Sequence, residues 1–310
     1  MKKRLISLLV ALCMAVTLLP VSAITAWAEN PPKSGNCGAT GDGSDVTWQL
    51  TENTDDLSTY TLTIRGSGAM KDYPTSFSRP WNSFRGQITS VVISPGITSI
   101  GKCAFASFTK LTHVDIADSV ISIGSQAFSY CSSLTDIKIP QSVTYIGGVV
   151  FRDCTNLSSI TLSNNITSIG TYAFNNCTNL TSITILGSVT SIGWDVFDGC
   201  TRLNDIRYSG TSESVISALS QYVPTRVTFN YGDKVPEGER MITVFVKTGG
   251  TLTAPTTLPT VSGYEFKGWL TKAGEPYDFT VAPTGLFTLY ANWEKISDPK
   301  PEPKPEPKPE

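Results

Sequence analysis

The chain has one histidine, His113, and four methionines in 310 residues, and only 16% of it is charged. That histidine has no dedicated Ser or Cys partner, which leaves no catalytic triad. The HExxH, GxGxxG, P-loop and GxSxG spacings are missing as well, so the residues indicate no catalytic group, no metal and no cofactor. Long apolar runs are equally scarce. Leu5 to Leu19 follows Lys2-Lys3-Arg4 and precedes Ala26-Trp27-Ala28, the layout of a secretory signal peptide over residues 1–28. Cleavage after Ala28 removes three positive charges and moves the net charge from −2 to −5, which gives no basic surplus for nucleic acid. No later run reaches ~18 apolar residues, so no membrane insertion is expected once the signal peptide is gone. The expected location is secreted or cell-surface.

What is present is a beat. Ile-Gly recurs at 100–101, 123–124, 146–147, 169–170 and 192–193, a step of 23 residues. Phe105, Phe128, Phe151, Phe174 and Phe197 keep the same interval, as do Cys131, Cys154, Cys177 and Cys200. A repeat of this length marks a solenoid, in which each unit buries its apolar face against its neighbours. Leu111-x-x-Val114-x-Ile116 recurs in the next four units, and its period of two points the last pair into the coil. Gly after each Ile is read as permitting a tight bend. The Ala-Phe pairs are expected on a short helical or 3₁₀ turn. About six coils stacked ~4.8 Å apart make a rod on the order of 30 Å long.

The rest of the chain follows from local pattern. Residues 29–36 read as a disordered leader. Residues 37–87 hold two alternating runs, Val46–Leu50 and Tyr60–Ile64, that form a hairpin, and with Trp48, Tyr73, Trp81 and Phe84 they are the N-terminal β cap. Repeats occupy 88–211. Residues 212–224 form a C-terminal cap or connector, and 225–295 alternate between turn residues as a small β domain. Residues 296–310 form a linker or tail of repeated Pro-Glu-Pro-Lys, extended by its prolines. No Leu-Pro-x-Thr-Gly sorting signal follows, which leaves release, non-covalent retention and a chain cut short as open expectations.

The run Leu-x-x-Ile-x-Ile-Pro-x-Ser-Val-Thr-x-Ile-Gly, then Phe-x-x-Cys-x-x-Leu, spans Leu134 to Leu157. It resembles the BspA-type (Treponema-type) leucine-rich repeats of bacterial surface proteins. Gly263-Tyr264-Glu265-Phe266-Lys267-Gly268-Trp269 and Thr288-Leu289-Tyr290-Ala291-Asn292-Trp293 are similar to the Listeria–Bacteroides, or internalin B-repeat, module. The expected fold is therefore mainly β: a leucine-rich-repeat solenoid of about five to six 23-residue coils with an N-terminal β cap, followed by a small β-grasp-like domain. The resemblance implies adhesion to a host or microbial surface protein, an extracellular-matrix protein or a glycan, by a chain expected to be monomeric. It also implies that the second module and the tail act as a spacer. A stalk without a ligand and an enzyme acting on wall polymer or glycan are the other two readings.

Residues alternating outward from the repeated strand form the candidate binding surface: His113 and Asp115, Asp136 and Lys138, Ser159 and Thr161, Ser182 and Thr184, Asp205 and Arg207. Solenoids present such rows to partners. This face lacks the aromatic row that stacks on carbohydrate. Phe108 fills the first position of the cysteine ladder, which favours buried packing over disulfides or a metal for the other four. Cys37 and Cys103, outside the ladder, are candidates to pair.

Overall fold

The computed structural model describes residues 33–247 and 249–296. The signal peptide, residues 29–32 of the leader and residues 297–310 of the tail lie outside the described residues. Ser34–Asn36, assigned above to the disordered leader, instead form strand β1, antiparallel to β2 (Val46–Glu52), with Gly35 opposite Trp48. The edge of β2 offers unpaired backbone groups, and β1 pairs with them. β2 continues antiparallel into β3 (Tyr60–Gly66), and β3 pairs in parallel with β5 (Ile88–Ile93). The cap is thus one sheet with the first coil.

Each of the first five coils has two strands and a run of turns, and the sixth keeps only its first strand. The first strands are β5, β7 (His113–Ile116), β9 (Asp136–Lys138), β11 (Ser159–Thr161), β13 (Ser182–Ile185) and β15 (Asp205–Tyr208). The second strands are β6 (Ile97–Ile100), β8 (Ser122–Ile123), β10 (Tyr145–Ile146), β12 (Ser168–Ile169) and β14 (Ser191–Ile192), joined in one parallel ladder with β4 (Gly68–Ala69) from the cap. Val, Ile and Leu at alternate positions point inward and are buried. Phe128, Phe151, Phe174 and Phe197 stack with centroids 5.5–5.7 Å apart and planes within 10°.

The Ala-Phe segment is not helical. Phe105 N–H donates to Ala127 O in the following coil (2.8 Å), and Phe128 N–H to Val150 O (3.0 Å). An amide directed to the next coil is unavailable to a helix. Left-handed residues at two positions per coil turn these amides outward: Cys103, Gln126, Val149, Tyr172 and Asp195 at one, Ser107, Tyr130, Asp153 and Asn176 at the other. The Ile-Gly glycines serve close approach rather than the bend. Their φ is not left-handed, but a Cβ on Gly170 would lie 2.5 Å from Gly148 N and 2.7 Å from Gly147 C in the preceding coil.

The N-terminal cap replaces a missing coil. Between coils, three amides such as Cys103, Phe105 and Ser107 donate to Ser125, Ala127 and Ser129 O. The equivalent carbonyls of the first coil, Lys102, Ala104 and Ala106, have no coil before them. Tyr73 N–H takes the first (3.1 Å), Trp81 Nε1 the second (3.0 Å) and Arg79 Nη1 the third (2.6 Å). Arg79 also reaches Cys103 O, and its guanidinium lies over the Phe108 ring. Burial pulls its pKa down to about 10. Trp81 extends the aromatic stack, 6.0 Å from Phe105.

The six described cysteines are free. The thiols of Cys131, Cys154, Cys177 and Cys200 donate to Phe105, Phe128, Phe151 and Phe174 O at 3.1–3.3 Å. Cys103 Sγ, one of the two cysteines considered for pairing, contacts Gln126 Oε1. Burial pushes the Cys131 thiol up to about 12, which keeps the donated proton in place. Only the last thiol of the ladder has no coil beyond it, and Cys200 is half-buried. Alkylation of the native protein should therefore modify Cys200 well before Cys131, Cys154 and Cys177. Mass mapping of the alkylated peptides checks this order.

At the other end, helix α1 (Glu213–Ser220) buries Val215, Ile216 and Leu219, and Tyr222 stands edge-on to Phe197 at 5.6 Å. The second module has β16 (Thr225–Asn230), β17 (Met241–Val246), β18 (Tyr264–Leu270) and β19 (Leu286–Lys295) in the order β17-β16-β19-β18. Parallel pairing of β16 with β19 gives the β-grasp strand order. β17 also pairs antiparallel with β15, so the solenoid sheet continues into the module. Phe245 from β17 lies in the solenoid core, while Val244 and Val246 lie in the module core.

Candidate functional site

The strand register builds two outward rows. Ser90 lies opposite His113 and Val92 opposite Asp115. Asp136 lies opposite Ser159 and Lys138 opposite Thr161. Ser182 lies opposite Asp205, and Thr184 opposite Arg207. His113, Asp115, Asp136, Lys138, Ser159, Thr161, Ser182 and Thr184 are all exposed. Asp136 falls in the row of His113 and Asp115 in the row of Lys138, so the two carboxylates do not occupy one row.

Asp205 and Arg207 depart from the expected surface. They are half-buried and pair with each other at 3.0 Å, and Arg207 Nη2 donates to Thr253 O of the module at 2.8 Å. The cause is the β15–β17 pairing, which places them opposite Val246 and Val244, on the side of the module core. Burial raises the Asp205 pKa, and the Arg207 charge opposes that shift. These two residues hold the junction between solenoid and module rather than extend the open face.

The ladder of first strands is interrupted between β7 and β9 and again between β11 and β13. At the first seam one rung of the ladder is missing. Ala117 N–H donates to Ile93 O at the end of the preceding pair, and the matching position of the next coil is Pro140, which has no N–H. Over this seam lies an open groove of about 540 Å³. Val92, Pro95 and Pro140 give it apolar walls, and Asp115, Asp118 and Lys138 charged ones. Val114 and Ile116, otherwise core residues, reach its surface. Asp115 and Lys138 were legible in the alternation, whereas Pro95, Asp118 and Pro140 sit in the loops after the strands, where a period of two says nothing. Among the described residues, no group of three or more His, Cys, Asp or Glu side chains is arranged to hold a metal. No helix among them is long and apolar enough to cross a membrane.

Stacked parallel coils with an inward aliphatic column and outward polar rows define a leucine-rich-repeat solenoid, here with a β module continuing its sheet. Residues 82–204 match the BspA type Leucine rich repeat region in six copies, and residues 226–292 match the Listeria-Bacteroides repeat domain. Those two segments are therefore a BspA-type repeat region and a Listeria–Bacteroides repeat domain. No curated protein matches the chain. Among solved structures, a leucine-rich repeat protein from Bacteroides ovatus is similar at 30% identity over 55% of this chain and 40% of its own (TM-score 0.38). A leucine rich cell surface protein from Faecalibacterium prausnitzii is similar at 27% identity over 59% and 56% (TM-score 0.35). The T. pallidum leucine rich repeat protein is similar at 26% identity over 50% and 87% (TM-score 0.36). The chain thus spans about half the length of the first two.

Proposed function

We propose that this is a secreted or cell-surface interaction protein that attaches to a host or microbial surface or matrix component through the first-strand face of its solenoid. The observation that carries the reading is the seam groove, in which apolar walls and both signs of charge converge on an otherwise polar sheet. Aliphatic surface, a cation and two carboxylates within one shallow site suit a mixed polar and apolar partner segment. The open face is confined to β5 through β13, because the module covers the outward side of β15. The module therefore acts as a cap on the solenoid sheet as well as a spacer. Contacts of this size give modest affinity per site, and attachment gains from many copies on one surface.

The test is attachment of the full chain to cells and to matrix-coated surfaces. Joint exchange of His113, Asp115, Asp136 and Lys138 for Ala should reduce attachment about tenfold or more, with an unchanged unfolding transition because all four side chains are exposed. Full attachment by the folded variant would remove this face as the binding site.

A further inference from the structure

Five large apolar side chains of the repeats are exposed, none of them in the outward rows of the first strands; Ile121 and Tyr130 stand apart, and the other three share one corner. Tyr145, Tyr172 and Trp194 lie within two residues of the Ile-Gly corner in three successive coils. Trp194 is 81% exposed, where a tryptophan is ordinarily mostly buried. Tyr145 and Tyr172 are 44% and 38% exposed. Tyr172 and Trp194 are backbone neighbours, the Tyr172 N–H donating to Trp194 O at 2.9 Å, and Tyr145 enters the same corner through its register with Ser168, four residues before Tyr172.

The scaffold does not require these rings. In the other coils the position of Trp194 holds Lys102, Ser125, Gly148 and Thr171, and that of Tyr145 holds Ser99, Ser122, Ser168 and Ser191. The position of Tyr172 holds Cys103, Gln126, Val149 and Asp195. Each aromatic replaces a smaller or more polar residue, and all three replacements fall in adjacent coils. Apolar area left in water at one place is a mark of a binding surface.

We infer that this corner is a second binding surface, and that its ligand is a neutral glycan. Along the chain and in the strand register the rings alternate with Ser168, Thr171, Ser191 and glycine, a mixture of ring and hydroxyl rather than the apolar centre of a protein interface. Aromatic faces carry negative charge density that attracts the C–H faces of a sugar ring, and the hydroxyls and the Asp195 carboxylate bond its hydroxyls. Charge decides against the anionic alternatives. Asp195 is exposed at this corner, and the one basic residue in the three aromatic positions, Lys102, lies in the first coil. A sulfated glycan, a nucleic acid and an anionic membrane would all meet a carboxylate without a compensating cation.

The experiment is affinity electrophoresis of the full chain in native gels cast with xylan, galactomannan or hydroxyethylcellulose. At least one neutral polymer should retard the protein, and high salt should leave the retardation intact. The double variant Tyr172→Ala, Trp194→Ala should bind that polymer at least about tenfold more weakly, as expected for aromatic anchors, with an unchanged melting transition. The quadruple Ala variant of the first-strand face should be retarded like the parent, which keeps the two surfaces separable. Free migration of the parent in all three gels would overturn the inference. So would retardation that survives the double exchange, or loss in that variant only of attachment to glycan-free protein coats.

Discussion

Trp81→Ala should cost on the order of 4 kcal/mol of stability, the middle of the range for deleting a buried large aromatic. The indole is fully buried, packs edge-on to Trp48 and Tyr73 and extends the Phe105 stack. Its removal leaves a cavity at the point where cap and first coil meet, and it also takes away the Nε1 donor to Ala104 O. Arg79→Met separates these two losses. The methionine fills part of the volume but supplies no donor, leaving Ala106 and Cys103 O without their guanidinium partner. An unsatisfied buried carbonyl costs roughly 1–3 kcal/mol, but removing a buried cation with no carboxylate beside it returns part of that, so the net loss is about 1–2 kcal/mol. A solenoid couples only neighbouring units, so both variants should open the first coil before the rest. Urea unfolding gives the magnitudes, and amide exchange at Phe105 and Ser107 relative to Phe174 and Asn176 shows where the opening starts. Equal exchange gains in the first and fourth coils would contradict a local cap.

Gly170→Ala is the second large effect, expected at about 2–3 kcal/mol from overpacking against atoms that have little freedom to move. Its Cβ would meet Gly147 and Gly148 backbone at 2.5–2.8 Å, and the Gly170 amide is itself tied to Ile146 O at 2.8 Å. The neighbouring coil has to move away, and that motion strains the parallel ladder on both sides. Gly148→Ala is the control. Its nearest neighbour is Thr171 O at 3.2 Å and its φ is not left-handed, so it should cost less than about 1 kcal/mol. Thermal unfolding of the two variants side by side distinguishes close approach from flexibility as the reason for glycine. Equal destabilisation would favour flexibility.

Period carried most of the solenoid into view from sequence. Inward residues such as Val114, Ile137 and Ile183, the phenylalanine stack and the outward rows all follow from a 23-residue step combined with alternation along a strand. Features that occur once were not legible. Arg79 sits in a cap segment that repeats nothing, and its role depends on three carbonyls about 25 residues downstream. Asp205 and Arg207 look like any outward pair until β17 folds back beside β15. The Ala-Phe segment has helical composition, but its amides are committed to the next coil, and that long-range ladder overrides local propensity. Ser34–Asn36 are polar and short, and only the free edge of β2 makes them a strand. Trp194 did carry a signal: it departs from a column of small and polar residues. That signal is visible only when coils are compared position by position and the corner is known to be exposed.

The regular positions maintain the rod, and the proposed function gives the positions that vary from coil to coil the task of recognising a partner. Hydrogen exchange of the full chain, free and bound to a matrix or cell-surface component that it attaches to, tests this division most directly. New protection is expected in β7, in β9 and in the loops at Ser94–Pro95 and Ala117–Ser119, with the cysteine and phenylalanine turns unchanged. Protection confined to the second module, with β7 and β9 exchanging as in the free protein, would contradict the division.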